Sequence, residues 1–181
     1  MRKLLVTAVV LALITQSGLT FGLDSVTDCS ATEKADIEAV ANYLSEHWDD
    51  FEKHMESATD LNIRKCMKRR FEKNGDVLCK DNSATGLCEC TAEKREKGKC
   101  AAAWAVPLGK EVRICQTFQD NVKNLDTQDR RACWAAILVH EFSHSCLRLE
   151  GGCEKVEKAA FDYWKSTHSA VKINKSDCGL D

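Results

Sequence analysis

His140-Glu141-Phe142-Ser143-His144 is the stretch of this 181-residue chain whose residue types and spacing point most directly to chemistry. Two histidines four positions apart lie one turn from each other on a helix. Both imidazoles then face the same side and can share one metal ion. Glu141 is rotated from His140 by about 100°. Its carboxylate can reach a water molecule beside that ion and act on it as a base. The geometry requires a helix, and the flanking residues supply one. Residues 132–139 are apolar nearly all round, which predicts a buried helix over about 127–149.

Two imidazoles do not complete a catalytic zinc site, which takes a third protein donor and keeps one position open. Glu157 and Glu154 are the nearby candidates. Cys153, Val156, Ala160 and Trp164, with Phe161, mark the apolar face of a helix predicted over about 153–169. Glu157 falls inside that arc, and Glu154 sits at its edge. A carboxylate on a buried face is costly unless it is paired or bound to metal. Glu157 is therefore the preferred third ligand and Glu154 the alternative, with His168 or a cysteine as further donors. Gly151-Gly152 reads as the break between the two helices.

The remaining elements must position that turn. Ser30 and Glu33 form a capping-box pattern, which predicts a helix from there to about residue 56. Ile37, Val40, Ala41, Leu44, Trp48 and Phe51 make its apolar stripe. A second helix is expected over 58–73. Residues 101–106 and 111–115 flank Pro107-Leu108-Gly109-Lys110 and read as a β-hairpin. The fold class is α+β and helix-rich, with a small hairpin or sheet.

Arg2 and Lys3 precede an apolar run over residues 4–14, followed by small and polar residues. This pattern predicts a signal peptide over 1–22 and a single domain over 23–181. All eleven cysteines lie after residue 28. An exported chain would pair most of them and leave at least one over. Cys79, Cys88, Cys90 and Cys100 lack zinc-ribbon spacing, so disulfides are expected across a cysteine-rich loop at 79–100. The net charge of −2 argues against a nucleic-acid partner. The apolar runs are too short for stable membrane insertion. A monomer in a secreted, extracellular or periplasmic setting is expected.

Ile137-Leu138-Val139-His140-Glu141-Phe142-Ser143-His144-Ser145-Cys146 resembles the active-site helix of the zincin metallopeptidases. The resemblance covers roughly residues 111–165. It implies a mixed domain in which an edge strand lines a cleft, the motif helix forms its floor and a helical C-terminal part brings the third ligand. Zn²⁺ is the implied cofactor and a protein or peptide the implied substrate. His140, His144 and Glu157 would hold zinc, Glu141 would be the general base, and Tyr163 or His168 would steady the oxyanion. The strand at 111–115 could pair with an extended substrate. Glu157-Lys158-Ala159-Ala160-Phe161 is similar to the third-ligand segment of gluzincins. Gly151-Gly152-Cys153-Glu154 is similar to that of the deuterolysin-like aspzincins, with Glu in place of Asp. The metzincin extension is absent, because position 147 is Leu and position 150 is Glu. Two other readings fit an exported cysteine-rich chain. One is a binding, inhibitor or toxin protein with a structural metal. The other is a zinc amidase acting on cell-wall peptides.

Overall fold

The computed structural model describes residues 22–83, 86–147 and 149–180, with the backbone alone at Glu150. The expected signal peptide lies almost wholly outside these residues. After a short strand, β1 (Ser25–Thr27), the chain enters helix α1 (Ala31–Glu46). The capping box forms as its sequence dictates. Glu33 N donates to Ser30 Oγ at 3.3 Å, and Ser30 N donates to the Glu33 carboxylate at 2.7 Å. The helix ends ten residues before the expected point. His47 adopts φ −110° and ψ 26°, its ring Nδ1 lies 3.0 Å from Tyr43 O, and the chain resumes as α2 (Trp48–His54).

Asp60 delays the next helix relative to expectation. Its carboxylate accepts from Asn62 N and Ile63 N, so α3 runs over Leu61–Arg69 and passes into a π-helical turn, Arg70–Asn74. Strand β2 (Asp76–Lys80) follows directly, a strand that the sequence reading did not place. The expected loop at 79–100 therefore begins inside a strand, and it also holds a short helix, α4 (Ala92–Glu96). Then come β3 (Ala103–Ala105), β4 (Glu111–Cys115), α5 (Gln116–Val122), α6 (Thr127–Ser145) and α7 (Glu150–Thr167).

The expected hairpin is present. β3 pairs antiparallel with β4, Ala103 opposite Ile114 and Ala105 opposite Val112. The sheet is larger than the hairpin, because β1 and β2 join it in parallel to give the order β1-β2-β4-β3. This corrects one expectation about substrate binding. β4 is hydrogen-bonded along both sides and has no edge to offer an extended peptide. The strands at the two edges of the sheet are β1 and β3, and β3 is the one beside β4.

Helix α6 packs against α1, α7, β3 and β4, and its residues 132–139 are all buried. The chain reverses earlier than expected. The helix stops at Ser145, and Leu147 takes a left-handed conformation with φ 66°. Gly151 and Gly152 do not break anything; they form part of the first turn of α7. No helix among the described residues is long and apolar enough to cross a membrane.

Five cysteine pairs stand at disulfide distance: Cys29–Cys79, Cys66–Cys146, Cys88–Cys115, Cys90–Cys100 and Cys133–Cys178. The expectation of disulfides at Cys79, Cys88, Cys90 and Cys100 holds. Two of the five pairs attach α6 to the rest of the molecule. Cys133–Cys178 joins its N-terminal half to the C-terminal tail, and Cys66–Cys146 joins its end to α3.

Candidate metal centre

The motif lies in the last two turns of α6. His140 and Glu141 are buried, at 9% and 4% exposure, while His144 is half-buried. Buried hydroxyls in this segment are satisfied locally. Ser143 Oγ donates to His140 O at 2.7 Å, and Ser145 Oγ donates to Phe142 O at 2.8 Å. Three contacts fix the helix end in space. Cys146 is bonded to Cys66, Leu108 N donates to Ser145 O at 3.0 Å, and Phe142 meets Phe71 edge-on at 5.0 Å between centroids. Gly75 permits that last approach, since a Cβ there would stand 2.7 Å from Phe142 Cζ and 2.5 Å from Arg70 O.

The two imidazoles face each other. His144 Nε2 lies 3.1 Å from His140 Nε2, with ring centroids 4.8 Å apart. Two lone pairs at that separation repel unless a proton or a cation lies between them. Nitrogens that bind one zinc ion at about 2.0–2.1 Å sit close to this distance apart. The pair thus has the spacing of two donors on one ion and equally of one shared proton, and no third donor stands with it among the described residues.

The other nitrogen of each ring is held by α7. His140 Nδ1 lies 2.7 Å from Glu157 Oε2, and His144 Nδ1 is hydrogen-bonded to Cys153 Sγ at 3.3 Å. Glu157 is 4% exposed, and Lys175 Nζ donates to its second oxygen at 2.6 Å. Burial pushes the Glu157 carboxyl up, but the contacts with His140 and Lys175 outweigh this and hold it below the usual carboxylate value. The group is thus an anion behind the His140 ring. This is where an orienting carboxylate sits in histidine-based metal sites.

The sequence-derived residues divide accordingly. His140, His144 and Glu157 come together, with both Glu157 oxygens engaged by His140 and Lys175. Glu154 is exposed on α7. Tyr163 lies about 9 Å further along α7, where its ring meets Tyr43, Phe51 and His54. His168 caps the end of α7 and stacks on Trp164 at 4.2 Å. Among the described residues, no group of three or more His, Cys, Asp or Glu side chains is arranged to hold a metal ion. A cavity of about 690 Å³, lined in part by Ser45, His47, Trp48, Asp49 and Lys68, lies between α1, α2 and α3 and holds no residue of the motif.

Sequence reasoning missed Cys153 and Lys175 as neighbours of the site. Cys153 had a readable signal, because it precedes Glu157 by four positions just as His140 precedes His144. Lys175 had none, since it returns from the tail after α7 has ended. No family model, curated protein or solved structure matches the chain.

Proposed function

We propose that this protein is an exported zinc metallopeptidase that hydrolyses peptide bonds. The observation that carries the reading is the pair of Nε2 atoms 3.1 Å apart on one buried helical turn. His140 and His144 would hold the ion through those atoms, and Glu157, which lies against His140 Nδ1 and Lys175, would have to turn from them to serve as the third donor. Zinc, when bound, supplies a Lewis acid that acidifies water and polarises a carbonyl oxygen.

The chain's own residues do the rest. Glu141, buried and one position beyond His140, accepts the proton of the attacking water and later delivers it to the leaving amine. Glu157 and Cys153 each contact the Nδ1 side of one imidazole, at 2.7 and 3.3 Å. The β3 side of the sheet offers backbone groups to an extended peptide, and its turn is tied to the end of the motif helix through Leu108 N and Ser145 O. Five cysteine pairs at disulfide distance support export to an oxidising compartment.

The direct test is Glu141→Gln, which keeps the shape and removes the base. Zinc content should stay at the wild-type level while peptide hydrolysis falls by about 10²–10⁴-fold. Full hydrolysis by this variant would contradict the reading.

A further inference from the structure

Two neighbouring turns each carry a leucine in a left-handed conformation. Leu108, between β3 and β4, has φ 61°, and Leu147, after α6, has φ 66°. Glycine or asparagine fits such a backbone, while leucine is strained there. Both side chains are also exposed, at 72% and 59%. The turns touch, since Leu108 N donates to Ser145 O at 3.0 Å. Val106 and Leu149, on the same two segments, are exposed as well. The other large apolar side chains exposed among the described residues are Leu61 and Leu87. Single exposed leucines need no explanation, but four aliphatic side chains on two joined turns mark a contact surface.

Cations border this surface. Arg70 Nη2 reaches Leu108 O at 3.5 Å, and the Cys66–Cys146 pair ties α3 to the residue before Leu147. Lys68 is engaged by Asp49 and Glu72. Lys65, Arg69, Arg70 and Lys73, on α3 and its π-helical turn, have no acidic partner among the described residues. Arg69 and Arg70 line a cavity of about 200 Å³ with Cys66 and Asn74. Arg70 Nε is buried without a hydrogen-bond partner. Burial, then repulsion from Arg69, holds the Arg70 guanidinium below its ordinary value. Two adjacent guanidinium groups without a counter-charge call for an anion.

We propose that this face docks on an anionic lipid surface, with phosphate headgroups against Arg69 and Arg70 and with Val106, Leu108, Leu147 and Leu149 among the outer acyl carbons. Stable anchoring at an interface takes two signals, and an apolar insertion beside a basic patch supplies both. Acyl chains receive aliphatic turn tips without a shaped pocket, which a folded acidic protein would have to provide. The chain lies on the bilayer and does not cross it. The docking is independent of any metal at His140 and His144.

Co-sedimentation of the exported, disulfide-bonded protein with vesicles tests this. Partition onto phosphatidylglycerol–phosphatidylcholine vesicles should exceed partition onto phosphatidylcholine alone by at least about tenfold. The double variant Leu108→Asn, Leu147→Asn suits both left-handed backbones, so its melting temperature should hold or rise. Its partition onto the anionic vesicles should fall about 100-fold. Arg69→Gln with Lys73→Gln should lower that partition about 30-fold. Circular dichroism verifies folding of each variant. Equal partition onto both kinds of vesicle, or none onto either, overturns the proposal. Loss of binding in the charge variant with full binding in the leucine variant also overturns it, and assigns the cations to a soluble polyanion.

Discussion

A histidine pair is cheap to recognise in a sequence, but what stands behind each ring is not. The spacing of His140 and His144 fixes their shared side, because one helical turn allows no other outcome. Glu157 illustrates the limit. Its place on a buried face was legible from Val156, Ala160 and Trp164, and so was its need for a partner. Which partner it takes depends on Lys175, eighteen positions away on a tail with no periodicity to read. Tyr163 shows the same limit with a different result. The zincin resemblance implied a role at the oxyanion for a downstream Tyr or His, and the ring of Tyr163 packs on Phe51 and His54. Tyr163→Phe should therefore leave peptide hydrolysis within about twofold of wild type. The phenol itself should be distinctive. Burial, then the neighbouring Tyr43 and Asp50, push it up to about 12. A raised value means that the fold prefers the neutral phenol. The stability it contributes is complete below the unfolded value of about 10 and is lost as pH rises through about 12. Ultraviolet titration of phenolate absorbance should show a late-ionising tyrosine that Tyr163→Phe removes.

At the scale of elements, the site depends on where α6 is held. Its N-terminal end is fixed to α1 by a buried ion cluster. Arg130 Nε and Arg131 Nε both reach the Asp36 carboxylate, the latter at 2.8 Å, and Asp36 is nearly inaccessible at 2% exposure. Removing the anion would leave Arg130, largely buried, beside an empty pocket. Asp36→Ala should cost about 3 kcal/mol of unfolding free energy, read from a urea transition monitored by tryptophan fluorescence. A loss of under 0.5 kcal/mol would show that the cluster is solvated. Helices were legible where capping and periodicity agreed, as at Ser30 and Glu33. Breaks were less so. His47 interrupts a stripe that continues through Trp48 and Phe51, and Leu147 takes a left-handed turn that a reader assigns to glycine. Strands β1 and β2 escaped notice for a related reason. They are three and five residues long and gain their pairing only from partners about fifty and thirty-five positions away in sequence.

The whole molecule is organised by its cross-links. Cys66–Cys146 and Cys133–Cys178 close segments of 80 and 45 residues and hold the motif helix at both ends. Each such closure is worth about 4 kcal/mol in the chain-entropy account. Composition foretold that the cysteines would pair, but pairing is a property of the folded path and not of spacing. Denatured, unreduced protein should titrate one thiol per chain, against eleven after reduction. Peptide mapping should place that thiol at Cys153. More than one thiol would contradict the five-pair framework. The central claim is that His140 and His144 bind one zinc ion through their facing Nε2 atoms. Anomalous diffraction at the zinc edge, on crystals of the intact protein grown with equimolar zinc, tests it directly. One peak about 2 Å from both Nε2 atoms, lost in His144→Ala, is the predicted result. Full zinc occupancy elsewhere with nothing between the two rings would contradict it.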